Sequence, residues 1–195
     1  KRALLLAISH ELRSPLTRAR INVELLPDSG DAAASRNALL RDLAEMRDLI
    51  NDLLESERLS GSHVALHREP TDLCALVRAL VEDAAATGVV TLDMAPDLPA
   101  ASLDATRVRL AIRNLLDNAA RHGAGGKPPR VSVQRGDHGL VVRVRDHGPG
   151  VAPAQLDHLG EAFYRTDAAR QRVTGGVGLG LHLARQVALA HGGSL

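Results

Sequence analysis

Apolar residues recur at steps of three and four over residues 1 to about 59, the spacing that places side chains on one face of a helix. In the second half of this stretch the steps alternate strictly between four and three, through Leu39, Leu43, Met46, Ile50 and Leu53. Between the two halves, residues 27–30 read Pro-Asp-Ser-Gly, a run suited to a turn. The pattern predicts that residues 1–60 form a hairpin of two helices.

This predicted hairpin has an apolar stripe on each helix and little of its own to cover them. Both stripes become buried when the hairpin pairs with a second copy as a four-helix bundle. We therefore expect a homodimer that is held together through the hairpins.

The signals change after Ser60-Gly61-Ser62, which reads as a short flexible joint. Strand-like patterns occur at residues 64–68, 89–93, 130–135 and 140–145, and the last two flank a turn as in a β-hairpin. Helical patterns cover residues 73–81, 104–122, 153–160 and 179–191. Together they predict an α+β fold in which the helical hairpin precedes an α/β sandwich over residues 64–195, with helices on one sheet face.

The composition limits the classes of function. The chain carries 24 Lys and Arg against 23 Asp and Glu, so no broad basic face suggests nucleic acid as the main partner. Cys74 is the only cysteine, which excludes an intramolecular disulfide. No apolar run approaches the roughly 18 residues of a membrane helix. Because the sequence starts at Lys1 in helical register and ends in a Gly-Gly-Ser-Leu turn, we expect it to be part of a longer protein.

His10 is a candidate nucleophile on the first predicted helix. Because helical residues advance by roughly 100°, His10 lies far around the helix from the apolar Ile8 and Leu12, so its imidazole is expected to face solvent. A neutral imidazole is nucleophilic and titrates near neutral pH. Pro15 removes a helical hydrogen bond to the carbonyl of Glu11 and favours a bend there. Once the helix bends, the Glu11 carboxylate can accept the imidazole proton.

Asn114 and Asn118 are one helical turn apart, so two amide oxygens lie on the same side of a predicted helix. Mg²⁺ prefers oxygen ligands and is usually shared with substrate phosphates, and neutral amides suit a site to which phosphates bring negative charge. Arg121 follows about one turn later and can pair with phosphate oxygens. The stretch predicts a site for Mg²⁺ with a nucleotide.

Two glycine-rich segments follow this helix. Residues 146–150 (Asp-His-Gly-Pro-Gly) come after a predicted strand, where a carboxylate can accept the amino group of adenine and glycines let the backbone approach the base. Residues 175–180 open the last predicted helix, and their backbone N–H groups can face phosphates. This second segment is not a Walker motif, because no Gly-Lys-Ser/Thr occurs. It is not a dinucleotide site either, because no βαβ unit with a ribose-binding acid is evident after it.

These pieces, in this order, resemble the kinase core of the two-component sensor histidine kinases over nearly the whole chain. Residues 9–16 (Ser-His-Glu-Leu-Arg-Ser-Pro-Leu) resemble the phosphoacceptor box of the family's dimerisation and histidine-phosphotransfer domain. The resemblance implies that His10 accepts the phosphoryl group and that Glu11 is the general base. Ser14 falls at the fourth position of the family's Glu-x-x-Thr/Asn phosphatase motif, where serine departs from the usual residues.

The rest of the chain resembles the family's Bergerat-type ATPase domain. Residues 114–122 are similar to the N-box and 146–150 to the first glycine box, while 163–165 resemble the F-box and 175–181 the second glycine box. Residues 166–174, with Arg170 and Arg172, look like the lid over ATP. The resemblance implies that ATP and Mg²⁺ are bound by Asn114, Asn118, Arg121, His122, Asp146, Gly148, Gly150, Phe163, Tyr164, Arg165, Gly176, Gly178, Leu179 and Gly180, with Arg121 and His122 standing where the family usually has Lys and Tyr.

The function that this resemblance implies is ATP-dependent autophosphorylation on His10, followed by transfer to an aspartate of a response regulator. Phosphatase activity toward that regulator is a further expectation, and so is a place as the cytoplasmic portion of a bacterial inner-membrane protein whose sensor region lies outside this chain. Two alternatives stay open. A scaffold that holds a regulator without transferring phosphate predicts no acid-labile phosphohistidine, and a phosphatase-dominant regulator is recognised by a dephosphorylation assay.

Overall fold

The computed structural model describes residues 16–21, 23–24, 31–59, 65–85, 90–123, 127–164 and 178–195. The chain divides into two compact units, Lys1–Gly61 and Ser62–Leu195. Five of the predicted site residues lie outside the described residues: His10, Glu11, Ser14, Arg165 and Gly176. The predictions that concern these five therefore stay predictions.

The first unit is helical wherever it is described. Residues 16–21 and 23–24 are helical, and helix α1 spans Asp31–Leu59. A groove of about 550 Å³ between them is lined mainly by aliphatic side chains such as Leu16, Leu43 and Ile50. Leu39 and Met46, on the predicted apolar stripe of α1, remain 46% and 49% exposed in a single copy. The stripe therefore still offers apolar surface after the described part of the unit has folded.

The second unit mixes strands and helices, so the prediction of an α+β chain is confirmed. Its elements in chain order are β1 (Glu69–Thr71), α2 (Leu73–Ala85), β2 (Thr91–Met94), β3 (Ala101–Leu103), α3 (Ala105–His122), β4 (Arg130–Gly136), β5 (Gly139–Arg145), α4 (Pro153–Leu156) and α5 (Gly180–Ala190). Among the helices described, none is both long and apolar enough to cross a membrane.

The larger of the two described sheets has the order β2-β4-β5. Strand β2 runs parallel to β4, and β4 and β5 form the predicted antiparallel hairpin with Val131 opposite Val144. Helices α2 and α3 cover one face of this sheet, and the side chains of Val77, Val131 and Val133 between them have no exposed surface. Complete burial of each such side chain contributes about 1.5 to 3 kcal/mol. The core is aliphatic, as the near absence of aromatic residues requires.

The strand predicted at residues 64–68 is wrong. Residues 65–68 have no regular structure, and the strand begins at Glu69, where β1 pairs with β3 in a separate two-stranded sheet. The reason lies in the backbone hydrogen bonds, because the His67 N–H and the Ala65 carbonyl are bonded to side chains of Asp104 and Arg107 rather than to a strand. Strand β3, only three residues long, shows no sequence alternation that predicts it.

The helix predicted at residues 153–160 is shorter than expected. Only Pro153–Leu156 is helical, and turns follow as far as Gly160. Pro153 suits the first turn of a helix, but the preceding Ala152 has no side chain that can cap it. The last helix lies within one residue of its predicted limits at each end.

Asp104 caps the helix that carries the predicted nucleotide residues. One of its carboxylate oxygens accepts the Arg107 N–H at 3.2 Å, and the other accepts the His67 N–H at 3.1 Å. Burial alone would raise the pKa of Asp104, but the two N–H donors and the charge of Arg107 outweigh it, so the pKa lies below its ordinary value of 3.8. A carboxyl group whose pKa is lowered by folding stabilises the fold above its unfolded pKa, and that contribution is lost as the pH falls through the folded pKa.

Replacement of Asp104 by Asn puts an NH₂ donor in place of one carboxylate oxygen, so that either the Arg107 N–H or the His67 N–H loses its acceptor. We expect Asp104→Asn to lower the free energy of unfolding by about 1 to 2 kcal/mol at pH 7, with a difference from the wild type that shrinks below about pH 4. Urea unfolding of both proteins at pH 7 and below about pH 4 measures the difference in the free energy of unfolding. Asp72→Asn is the matched control, since Asp72 is an exposed cap that accepts only the Ala75 N–H in the described structure and Asn caps equally well. A constant difference across that pH range would contradict the assignment.

Candidate functional site

The C-terminal half of α3 carries four of the predicted site residues. Asn114, Asn118 and His122 are half-buried, while Arg121 is exposed. The helix places them there because Ile112, Leu116 and Ala119 are buried on its other side. The amide nitrogen of Asn114 donates to the Leu110 carbonyl at 3.2 Å, which fixes the amide and leaves its oxygen for other partners.

The Asn114 amide oxygen meets the first residue of α5. A Cβ atom on Gly180 would lie 2.8 Å from this oxygen, so the Asn114 side chain fills the space that a larger residue at position 180 would need. Leu179, Leu183 and Val187 are buried, and α5 packs against α3. The amide oxygen of α3 and the N-terminal end of α5 are therefore neighbours.

Asp146 follows β5 and is held by its own loop. Its carboxylate accepts the Gly148 N–H at 2.8 Å. A side chain on Gly148 would overlap the His122 carbonyl oxygen, so this loop can approach the end of α3 only because residue 148 is glycine. Gly150 adopts a left-handed backbone with φ of 74°, which glycine accommodates without strain.

Phe163 and Tyr164 lie beside Gly178. The Phe163 N–H donates to the Gly178 carbonyl at 3.1 Å, and Gly178 has a φ of 83°. A Cβ atom there would also lie 2.6 Å from the Tyr164 carbonyl oxygen. Phe163 is itself left-handed, with φ of 65°, and its side chain is 59% exposed. A non-glycine residue with a left-handed backbone is strained, and residues with such strain occur most often at functional sites.

The described structure thus brings the predicted residues together along α3. Asn114 at one end faces Gly180, and His122 at the other end faces Gly148 and hence Asp146. Asn114 and His122 are eight positions apart on the helix, which corresponds to about 12 Å. Amide oxygens beside a helix N-terminus suit a polyanion with a metal ion, and a carboxylate suits a donor such as an aromatic amine.

Other contacts around this site were not predicted from the sequence. The His182 ring contacts the Gly160 carbonyl at 2.9 Å, and the ring of His158 lies 5.3 Å from that of Tyr164. His191 contacts the N-terminus of α3 although the two are 87 residues apart in sequence. The contacts of His182 and His191 join residues 22 and 87 positions apart, so the local spacing of these histidines does not indicate their partners.

Comparisons with known protein families agree with this arrangement. Residues 1–62 match the model of the His Kinase A (phospho-acceptor) domain. Residues 103–195 match the model of the histidine kinase-, DNA gyrase B- and HSP90-like ATPases. The two models follow each other in the order of the two compact units.

Curated relatives match nearly the whole chain. Signal transduction histidine-protein kinase AfsQ2 of Streptomyces coelicolor is 33% identical over 96% of the chain and 37% of its own length. Sensor protein RstB of Escherichia coli is 34% identical over 100% of the chain and 45% of its own length. Sensor histidine kinase MtrB of Mycobacterium tuberculosis is 35% identical over 96% and 35%. The chain therefore spans less than half the length of these relatives.

Solved structures show the same likeness. The full-length ShkA structure in complex with AMPPNP superposes with a TM-score of 0.81 at 28% identity, covering 98% of this chain and 42% of that one. The mycobacterial sensor histidine kinase MprB gives a TM-score of 0.54 at 27% identity, covering 64% and 80%. The chain matches two family models one after the other, has curated relatives over nearly its whole length, and shares its fold with solved histidine kinases. The chain belongs to the two-component sensor histidine kinases.

Proposed function

We propose that this chain binds ATP in its second unit, transfers the γ-phosphoryl group to His10, and passes it on to an aspartate of a response regulator. The observation that supports this most is the juxtaposition along α3, where Asn114 faces Gly180 at one end and His122 faces the Asp146 loop at the other. A single nucleotide can lie between these ends, since about 12 Å of helix separates them.

In this proposal the adenine lies at Asp146. The carboxylate oxygen that does not hold the Gly148 N–H accepts the adenine amino group, and Gly148 and Gly150 leave room for the base. The triphosphate then points toward residues 178–180 at the N-terminus of α5, where backbone N–H groups and the helix dipole favour anions. ShkA, which shares the fold, holds the ATP analogue AMPPNP.

The amide oxygens of Asn114 and Asn118 are the proposed Mg²⁺ ligands. The Asn114 oxygen is oriented by the bond from its nitrogen to Leu110, and oxygen donors without charge fit an ion whose remaining ligands are phosphates and water. The ion would neutralise phosphate charge. Arg121 is exposed about one turn beyond Asn118, and its long side chain can extend back toward the N-terminus of α3, where it would bring a positive charge to the phosphates.

In the chemical step the protein forms only one covalent bond, between His10 and the phosphoryl group. A nitrogen of the neutral His10 imidazole attacks the γ-phosphorus, the bond to the β-phosphate oxygen breaks, ADP leaves, and Glu11 takes the imidazole proton. Positioning and charge neutralisation supply most of the rate in such transfers. In the second step His10 is the leaving group instead of the nucleophile, because a carboxylate of the regulator attacks the phosphorus and the bond to His10 breaks.

The partners follow from the same proposal. A second copy of the chain covers the apolar residues that α1 leaves exposed, including Leu39 and Met46, and forms a four-helix bundle. The regulator docks on this bundle near His10, and Ser14 supports phosphatase activity toward it. The chain is the cytoplasmic portion of a bacterial inner-membrane kinase, and neither nucleic acid nor a membrane binds it directly.

A phosphotransfer chase tests the proposal. The chain is first labelled with [γ-³²P]ATP, freed of nucleotide, and mixed with Mg²⁺ and a receiver domain of the response-regulator class. Label is expected to leave the chain and appear on the receiver, and a receiver whose phosphoacceptor Asp is replaced by Ala is the control. If the chain never acquires label under conditions in which it binds ATP, the scaffold alternative is correct instead.

Asn118→Ala is expected to weaken Mg²⁺-dependent nucleotide binding. One oxygen ligand is lost, and the Kd for AMPPNP in Mg²⁺ should rise by about tenfold, whereas binding in EDTA should change by less than about twofold. Calorimetric titration measures both values. Asp117→Asn is the neighbouring control, because Asp117 is exposed on another side of the helix. Equal losses with and without Mg²⁺ would remove Asn118 from the metal site.

A further inference from the structure

His191 ends α5 and is bonded to the start of α3. The backbone N–H of Asp104 donates to His191 Nε2 at 3.0 Å, and His191 Nδ1 lies 2.8 Å from the Val187 carbonyl oxygen. An amide N–H can only donate, so Nε2 must accept and the proton sits on Nδ1, where it is donated to Val187. Both ring nitrogens are thus occupied, and the imidazole joins two helix termini.

The connecting segment, residues 65–68, is bonded to the same junction. The His67 N–H donates to the Asp104 carboxylate at 3.1 Å, and Arg107 donates to the Ala65 carbonyl at 2.9 Å. Arg68 donates to the Ala190 carbonyl in the last turn of α5 at 2.9 Å. The first described residues of the second unit are therefore tied to α3 and α5 together rather than to the sheet.

The two helices meet at a second point, inside the proposed nucleotide site. Asn114 lies ten residues after Asp104 in sequence, and Gly180 lies eleven before His191. These separations correspond to about 15 and 16.5 Å of helix. Because the helices touch at Asp104–His191 and again at Asn114–Gly180, they run antiparallel with matched lengths between the two contacts. A slip of either helix at the first contact must shift the second.

We propose that the Asp104–His191 contact is a clamp that fixes the register of α5 against α3 and so couples the connecting segment to the nucleotide pocket. His191 is then a positioning residue for ATP, although it lies at the far end of α5 from the glycines. The proposal rests on the proposed function, since it assumes that Asn114 and residues 178–180 bind the nucleotide. Through the clamp, a movement of residues 65–68 changes nucleotide affinity, and by reciprocity nucleotide binding tightens the connecting segment.

Two substitutions of His191 in the full chain separate positioning from packing. His191→Ala removes the acceptor for the Asp104 N–H, and the Kd for AMPPNP with Mg²⁺ should rise about five- to tenfold. His191→Gln supplies an amide oxygen as acceptor and should stay within about twofold of the wild type. Leu189→Ala, in the same turn of α5 with a side chain that is 51% exposed, is the control and should bind as the wild type does. Equal losses in His191→Ala and His191→Gln, or no loss in His191→Ala, would overturn the clamp.

Hydrogen exchange of the His67 amide tests the coupling in the unmodified chain. Saturating AMPPNP with Mg²⁺ should slow this amide severalfold, and the amides around the β4–β5 turn at Asp137 and His138 should not change. An unchanged His67 amide in a chain that binds AMPPNP rejects the clamp alone, and this holds even if His191→Ala does not fold. A wild-type chain that fails to bind AMPPNP rejects the proposed function itself.

Discussion

His10→Gln is expected to abolish autophosphorylation while leaving ATP binding intact. Glutamine has a similar size and polarity but no nucleophilic nitrogen, so the γ-phosphoryl group has no acceptor. Incorporation of label from [γ-³²P]ATP should fall below about one thousandth of the wild-type rate. The Kd for AMPPNP should change by less than about twofold, because the proposed nucleotide residues belong to the second compact unit and residue 10 belongs to the first.

His138→Gln provides the matched control for that experiment. His138 is an exposed histidine in the turn between β4 and β5, and it is not among the proposed nucleotide residues. It should incorporate label at the wild-type rate. Label that persists in His10→Gln but disappears in a different histidine variant would move the phosphoacceptor to that other position.

Asp146→Ala is expected to have the largest effect on nucleotide binding. The substitution removes the acceptor for the adenine amino group and also frees the Gly148 N–H that shapes the loop. Hydrogen bonds to charged groups contribute about 1.5 to 3 kcal/mol each, so affinity for AMPPNP should fall by about tenfold to more than a hundredfold. Calorimetry of the variant, with circular dichroism to show that it is folded, measures this loss.

Two comparisons sharpen the Asp146 experiment. Asp157→Ala removes an exposed carboxylate from the turn after α4 and should bind AMPPNP as the wild type does. GMPPNP, which has a carbonyl oxygen where adenine has its amino group, should bind weakly to the wild type and about equally weakly to Asp146→Ala. A folded Asp146→Ala that keeps wild-type affinity for AMPPNP would place the adenine elsewhere.

Local patterns account for the parts of the fold that the sequence predicts well. The alternation on both sides of residues 136–139 predicts the β4–β5 hairpin, and the structure extends each strand by one residue toward a two-residue turn. The apolar positions of α2 and α3 likewise predict their buried faces. Such signals lie within one element, so that no knowledge of distant partners is needed to interpret them.

The wrong prediction of a strand at residues 64–68 and the failure to predict β3 both arise from contacts between distant parts of the chain. Residues 65–68 have the composition of a strand, but the His67 N–H and the Ala65 carbonyl are bonded to side chains at the start of α3. These side chains, of Asp104 and Arg107, are 37 and 42 positions away. Strand β3 is recognised only by its pairing with β1, which includes Pro70. In both cases the decisive hydrogen bonds are long-range, and three to five residues carry too little periodicity to reveal them.

Some features of the site can likewise be predicted from local sequence, and others depend on contacts between distant elements. The one-turn spacing of Asn114 and Asn118 and the position of Asp146 after a strand can be recognised from the sequence, because helix and strand geometry fix them locally. The fit of Gly180 around the Asn114 amide, and of Gly148 against the His122 carbonyl, depends on how α3, α5 and the Asp146 loop pack. The contact between Asp104 and His191 cannot be recognised from the sequence either, because it joins residues 87 positions apart.

The chemical stability of the label that the chain takes from [γ-³²P]ATP in Mg²⁺ tests directly whether a histidine is phosphorylated. A phosphorylated imidazole survives alkali and is hydrolysed in acid, whereas a phosphorylated serine or threonine survives acid. We expect label that resists alkali, is lost in acid, and maps to the peptide that contains His10. Acid-stable label, or no label on a chain that binds AMPPNP, would contradict autophosphorylation on His10.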